Sequence, residues 1–157
     1  MVTDFGFGFL PKNVRDAIDN SKSPYTLNCH INAININYNY YHKYKKFSYI
    51  TFNKREFLLN FRGNFNLEEN IKLVKKNFNQ LFAVTKGLSG SIIVNKKKEY
   101  HFPAIYKKIV DPVGCGDAYF AITSILTRVS KDYDLINFLG NLYAGIHAMT
   151  VCNKTFI

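Results

Sequence analysis

Apolar positions along this chain recur with two periods, and the switches between them mark its elements. Val2 to Phe5 forms a short apolar opening before a Gly-rich turn. Pro11 suits the first position of a short helix through Ile18, because its fixed φ is already helical and its missing N–H is not needed there. Tyr25 to Leu27 reads as a strand. From Asn28 to Asn39 polar and apolar residues alternate (NCHINAININYN) as in a strand, but the asparagine content favours a structured loop. Phe47 to Phe52 is a strand. Asn53 caps a helix to Phe61, with Gly63 as its stop signal. Asn66 caps the next helix, which carries Glu68 and Glu69 in its first turn and Ile71, Val74 and Phe78 along one side.

Leu81 to Thr85 is a compact apolar strand, followed by the turn KGLSG. Ser91 to Asn95 and Glu99 to Phe102 form a hairpin around Lys96 to Lys98. Past Val110 a helix runs to about Val129, with Ala118, Ile122, Ile125 and Val129 on one face, and a last helix spans about Leu135 to Cys152. The alternation of strands and helices predicts an α/β fold, a mixed sheet flanked by helices.

Composition narrows the class. The chain has 157 residues, 47% of them hydrophobic, so one domain with a real core is expected rather than disorder. Its net charge is 21 − 11 = +10. That balance suits nucleic acid, an anionic membrane or a phosphate-handling enzyme. Cys29, Cys115 and Cys152 are far apart and odd in number, with no CxxC, so neither a disulfide framework nor a zinc ribbon is indicated and a reducing cytoplasm is the default expectation. No apolar stretch approaches the roughly 18 residues of a membrane span, and the N-terminus has no signal-peptide pattern. The Asn153-Lys154-Thr155 glycosylation pattern is incidental in such a compartment. No P-loop and no HExxH is present, and the four histidines do not cluster at ligand spacing, so each reads as an ordinary polar or core residue. The lysine groups (43, 45 and 46; 96 to 98; 107 and 108) read as solvated loops.

Chemistry gathers in VDPVGCGDAYF, residues 110 to 120. Gly114, Cys115, Gly116 and Asp117 straddle a helix start, where free backbone N–H groups and the helix dipole favour an anion. Glycine lets the backbone approach a phosphate closely. Asp117 falls in the first turn, where its carboxylate can accept a proton from a hydroxyl. The same four residues also suit a plain tight turn with an acidic cap, and alone they do not decide between the two.

The surrounding residues resemble a known pattern. Asp111-Pro112-Val113-Gly114-Cys115-Gly116-Asp117-Ala118-Tyr119-Phe120-Ala121 is similar to the second signature, roughly D-T-x-G-A-G-D-x-F, of the PfkB or ribokinase-like carbohydrate kinases. Asn53-Lys54-Arg55-Glu56 resembles that family's N-x-x-E motif. Thr85-Lys86-Gly87-Leu88-Ser89-Gly90 resembles its T-x-G-x-x-G stretch. Asp4-Phe5-Gly6-Phe7-Gly8 is similar to its D-[YF]-x-x-G stretch, with Phe7 where Lys or His is common. Asn141 to Gly145 stands where the family has small residues and an Asn near adenine. Asn28 to Ala33, together with the run from Gly140 to Asn153, looks closest to heptose-kinase-like members, some of them fused to nucleotidyltransferases; Cys152 stands where a Gly is usual.

The resemblance implies a partial ribokinase-like fold over residues 1 to 157, a nucleotide-side portion without the sugar-binding segment and lid and without the last strands. It implies phosphorylation of a sugar or sugar-phosphate hydroxyl by ATP. Asp117 would be the base and Gly114, Cys115 and Gly116 the anion hole. Thr85, Gly87, Gly90 and Asn141 would line the nucleotide, and Asn53 and Glu56 would organise Mg²⁺ indirectly. A separately encoded N-terminal half or a nucleotidyltransferase are the implied partners. Two other readings stay open: a non-catalytic remnant that binds nucleotide or nothing, and a basic nucleic-acid-binding module.

Overall fold

The computed structural model describes residues 1–36, 38–62 and 66–151. Six strands form one sheet in the order β1 (Val2–Asp4), β2 (Tyr25–Cys29), β3 (Phe47–Asn53), β4 (Leu81–Thr85), β5 (Ser91–Val94), β6 (Glu99–Phe102). The first four are parallel, and β5 and β6 add as an antiparallel hairpin. Helices cover both faces, so the central strands are buried on both sides and carry apolar runs such as LFAVT and SIIV. The expected mixed, helix-flanked sheet is therefore what the chain forms. Gly63, Cys152 and Asn153 lie outside the described residues.

One face holds α1 (Lys12–Asp19), α2 (Lys54–Phe61) and α3 (Leu67–Asn77). Its core joins Leu27, Cys29, Ile50, Phe52, Phe82 and Val84 of the sheet to Phe57, Ile71 and Val74 of the helices. Tyr41, Phe47, Phe61 and Phe78 add edge-to-face and tilted ring pairs, with centroids 5.3–6.2 Å apart. Each such pair contributes about 0.5–1.5 kcal/mol beyond its burial. The two helix starts follow their sequence signals. Asn53 Oδ1 accepts the Glu56 N–H at 2.8 Å while the Glu56 carboxylate accepts the Asn53 N–H at 2.8 Å, a closed capping box. Asn66 accepts from Glu68 N and Glu69 N. Arg62 takes the left-handed conformation that ends α2.

The other face holds α4 (Cys115–Val129) and α5 (Tyr133–Ala148). Here the packing reverses what periodicity suggests. The face of α4 bearing Ala118, Ile122, Ile125 and Val129 is turned outward, with Ile125 56% and Val129 78% exposed. The buried face carries Tyr119, Phe120, Thr123, Ser124 and Thr127. Its polar groups are largely met by a buried hydrogen-bond network. Tyr49 donates to Thr123, Tyr119 donates to Asn137 Oδ1, and Ser91 donates to the same oxygen. The Asn137 amide donates to the Tyr100 carbonyl at 2.7 Å. A hydrogen-bonded interface of this kind is as restrictive as an apolar one, because an unpaired member would cost about 1–3 kcal/mol.

Past its first two residues, which end β2 at Cys29, the NCHINAININYN stretch is a loop over its described residues 30–36, 38 and 39; Asn37 lies outside them. Asparagine side chains hold that loop. Asn35 and Asn39 both donate to the His30 carbonyl, and they reach back to Phe5 O and Asp4 O.

Candidate active site

The parallel strands end together, and their last residues supply one wall of the site. Asn28 lies beside Thr51, and Asn53 beside Thr85, in the sheet register. Crevices at the carboxyl ends of parallel strands are the usual ligand positions in such sheets. A cavity of about 550 Å³ opens there, large enough for a nucleotide. All ten residues singled out from the sequence line it: Asn53, Glu56, Thr85, Gly87, Gly90, Gly114, Cys115, Gly116, Asp117 and Asn141.

Gly114 precedes the first turn of α4 with φ +84°, and Cys115, Gly116 and Asp117 make up that turn. First-turn amides have no acceptor within their own helix. The Cys115 N–H is partly used, donating to Pro112 O at 3.3 Å. His147 of α5 supports the loop by bonding Val113 O through Nε2 at 2.9 Å. The loop before it is tied to the end of α5, where Ala148 O accepts from Val110 N and Asp111 N. Asp117 is exposed into the cavity. The Cys115 thiol is pushed up by partial burial and by Asp111, so it is not an activated nucleophile.

Glu56 is only 2% exposed. Its Oε2 accepts the Asn53 N–H at 2.8 Å, and its Oε1 takes the Ile31 N–H at 3.1 Å and His30 Nδ1 at 3.0 Å. Burial pushes this carboxyl up. The Asn53 and Ile31 amides and His30 pull it down, Asp117 adds like-charge repulsion, and the net direction is up. A carboxylate oxygen has about two acceptor positions. Oε1 has both filled, and Oε2 keeps one. That vacancy, with the unrelieved repulsion from Asp117, fits a hard divalent cation held through its water shell. Among the described residues no cluster of three or more His, Cys, Asp or Glu could cage a metal directly.

Other expected residues sit in the wall with structural duties. The Asn141 amide donates to Ser91 Oγ at 2.7 Å and to Asn137 O at 2.8 Å. Gly90 has φ +82°, and a Cβ there would overlap the Phe102 carbonyl. Gly145 lies against Ile105 O, which is helix packing of the small-residue kind. Asp4 of the D-F-G-F-G stretch is buried and bound to Lys43, Tyr44 and the Gly6 amide, while Phe7 is exposed. Lys43 is therefore paired rather than solvated.

Four basic cavity residues escaped the sequence reading: His30, Lys54, Arg55 and Lys86. The last three fall inside the quoted N-x-x-E and T-x-G stretches, at positions the pattern leaves open. His30 was masked by the absence of any spaced histidine partner; its partner is a glutamate 26 residues on.

The sequence model for the pfkB family carbohydrate kinases matches residues 14–147. The chain belongs to that family. A nucleoside kinase of Methanocaldococcus jannaschii is 37% identical over 94 residues, covering 56% of this chain and 28% of that protein. The crystal structure of adenosine kinase from Sinorhizobium meliloti superposes with TM-score 0.73 at 18% identity, covering 93% of this chain and 46% of that one. A fructokinase double mutant from Vibrio cholerae, in fructose-, ADP- and potassium-bound form, superposes with TM-score 0.69 at 13% identity over 91% of this chain and 50% of its own. The chain thus spans half or less of the length of these proteins. No described helix is long and apolar enough to cross a membrane.

Proposed function

We propose that this chain carries the phosphoryl-transfer centre of a kinase that moves the γ-phosphoryl of ATP to a sugar or sugar-phosphate hydroxyl, the ribose of a nucleoside included. The carrying observation is the convergence of Asp117, Glu56 and the glycine-flanked start of α4 on one cavity. Lys54, Arg55 and Lys86 on its wall add the positive charge that a polyphosphate requires. The similar nucleoside kinase and the ADP-bound fructokinase support both the reaction type and the acceptor class.

In this reading Asp117 accepts the acceptor hydroxyl's proton as its oxygen bonds to the γ-phosphorus and ADP departs. The amides of Gly114, Cys115 and Gly116 stabilise the charge on the transferring group, and Thr85, Gly87, Gly90 and Asn141 line the nucleotide. Mg²⁺, when bound, would neutralise phosphate charge, and Asn53 and Glu56 would hold its water shell. The cytoplasm, where ATP is abundant, is the proposed location.

The test is ADP release from ATP with ribose, fructose, adenosine and inosine as acceptors, beside nucleotide affinity by calorimetry. Asp117→Asn should lower kcat by about 10²–10⁴-fold with nucleotide affinity kept. Wild-type kcat in that variant would remove Asp117 as the base. The nucleotide-side lining of the cavity, Thr85, Gly87, Gly90 and Asn141, also suits one second reading, a nucleotide-binding unit without transfer. It predicts calorimetric binding of ATP with no ADP release on any acceptor.

A further inference from the structure

We propose that His30 is a positioning residue of this site, fixing the Glu56 carboxylate so that its one open acceptor position faces the cation and phosphates; this rests on the kinase reading above. Three groups hold Glu56. Two are backbone amides, Asn53 N and Ile31 N, and His30 Nδ1 at 3.0 Å is the side-chain donor among the described residues. The amides alone leave Oε1 with a free acceptor position. A carboxylate with a vacancy on each oxygen can present either of them. With the imidazole in place Oε1 is filled, and the vacancy is confined to Oε2.

The histidine can do this because its own placement is fixed. Its N–H donates to Asp4 O at 2.9 Å. Its carbonyl accepts from Asn35 Nδ2 at 2.9 Å and Asn39 Nδ2 at 2.8 Å. Its ring lies 5.7 Å from that of Phe5. The asparagine-rich loop, which has no periodic core face, acquires a purpose as the clamp on this residue. The ring is also open to the cavity, with the side chain 41% exposed.

Geometry separates the two ring nitrogens experimentally. An asparagine amide nitrogen sits close to the place of Nδ1, and a glutamine amide nitrogen close to that of Nε2. His30→Asn therefore keeps the donor to Glu56, His30→Gln moves it to the opposite edge, and His30→Leu removes it.

The experiment measures ADP affinity of the whole 157-residue chain by calorimetry, with Mg²⁺ and with EDTA, after thermal melts of each variant. Wild type should bind ADP more tightly with Mg²⁺. His30→Leu and His30→Gln should lose about 10–100-fold of that Mg²⁺-dependent gain, the usual effect of removing a partner behind a metal's ligands, with unchanged affinity in EDTA. His30→Asn should keep most of the gain. If His30→Leu proves too unstable, the Asn and Gln variants decide between them, since they differ by one methylene. An undiminished Mg²⁺ gain in His30→Gln, or equal losses in Gln and Asn, overturns the positioning role and leaves the kinase reading intact. A wild-type chain that binds no ADP in either buffer removes both.

Discussion

Gly114 and Gly116 stand two residues apart, yet only the first is demanded by the fold. Gly114 has φ +84°, and a Cβ there would come within 2.6 Å of His147 Nε2. Gly114→Ala should cost about 1–2 kcal/mol from the left-handed backbone alone, and more as the imidazole is displaced. Gly116 lies inside α4 with nothing within 4 Å of its would-be Cβ. An alanine there should raise stability by about 0.5–1 kcal/mol, because glycine is a poor helix residue. What the glycine leaves open is room for a ligand against the first-turn amides. Gly116→Ala should therefore melt higher and bind ADP more weakly, as read by thermal unfolding and calorimetry. A more stable variant with unchanged ADP affinity would show that no phosphate approaches Gly116. Sequence alone could not separate these two glycines, since both sit in the same motif. The contact that separates them comes from His147, 33 residues after Gly114.

Elements that share no sheet register are joined by buried carboxylates, and this sets an acid limit. Asp4, at the end of β1, binds Lys43, Tyr44 and the Gly6 amide. Asp19, at the end of α1, accepts from Tyr25 and from the Lys45 and Lys46 amides. Burial pushes both carboxyls up, but the hydrogen bonds outweigh it and hold both below the usual aspartate value. A folded pKa below the unfolded one stabilises above the unfolded value, about 3.9, and is lost as pH falls through the folded one. Glu56 acts oppositely: its raised pKa means that stability falls as pH rises from the unfolded glutamate value toward the folded one. The melting temperature should thus drop as pH falls below about 4. Asp4→Asn with Asp19→Asn should melt lower at neutral pH and show a shallower acid slope. A slope as steep as wild type would place the acid sensitivity elsewhere.

The same scale shows where sequence reading succeeds. Asn53 and Asn66 announce their helices because capping is local, settled within three residues. The buried face of α4 is not the apolar stripe that periodicity picks out: it carries Tyr119, Phe120, Thr123, Ser124 and Thr127. Thr123 and Tyr119 are acceptable inside because Tyr49 and Asn137 meet them from other elements, with Ser91 donating to the same Asn137 oxygen. Asn141 carries bonds that its motif does not announce: its amide donates to Ser91 and Asn137. Glu56 is legible as a cavity residue through its motif, but His30 is not, because the loop that brings it there is held by long-range asparagine bonds.

At the scale of the whole molecule, the β1 edge and the α4 stripe are exposed among the described residues. β1 is an edge of the sheet, and the segment after it exposes Phe7 at 59% and Phe9 at 87%. The α4 stripe exposes Ile125 and Val129. Unpaired edges and apolar stripes promote association. A net charge of +10 opposes it by mutual repulsion. The balance predicts a chain that self-associates with rising concentration, and more strongly as salt screens its charge, because the apolar term does not weaken at the Debye lengths of about 8–10 Å reached in ordinary buffers. Ile125→Lys with Val129→Glu should return the sedimentation profile toward the monomer with little change in melting temperature, since neither residue is buried. Binding of nucleic acid through the lysine clusters predicts the opposite salt dependence, a complex that dissolves as salt rises. Sedimentation at low and high salt, with and without an added oligonucleotide, separates the two. A monomer at every concentration and salt would mean that the edge and the stripe are too short or too well solvated to pair, and would overturn the association argument without touching the site.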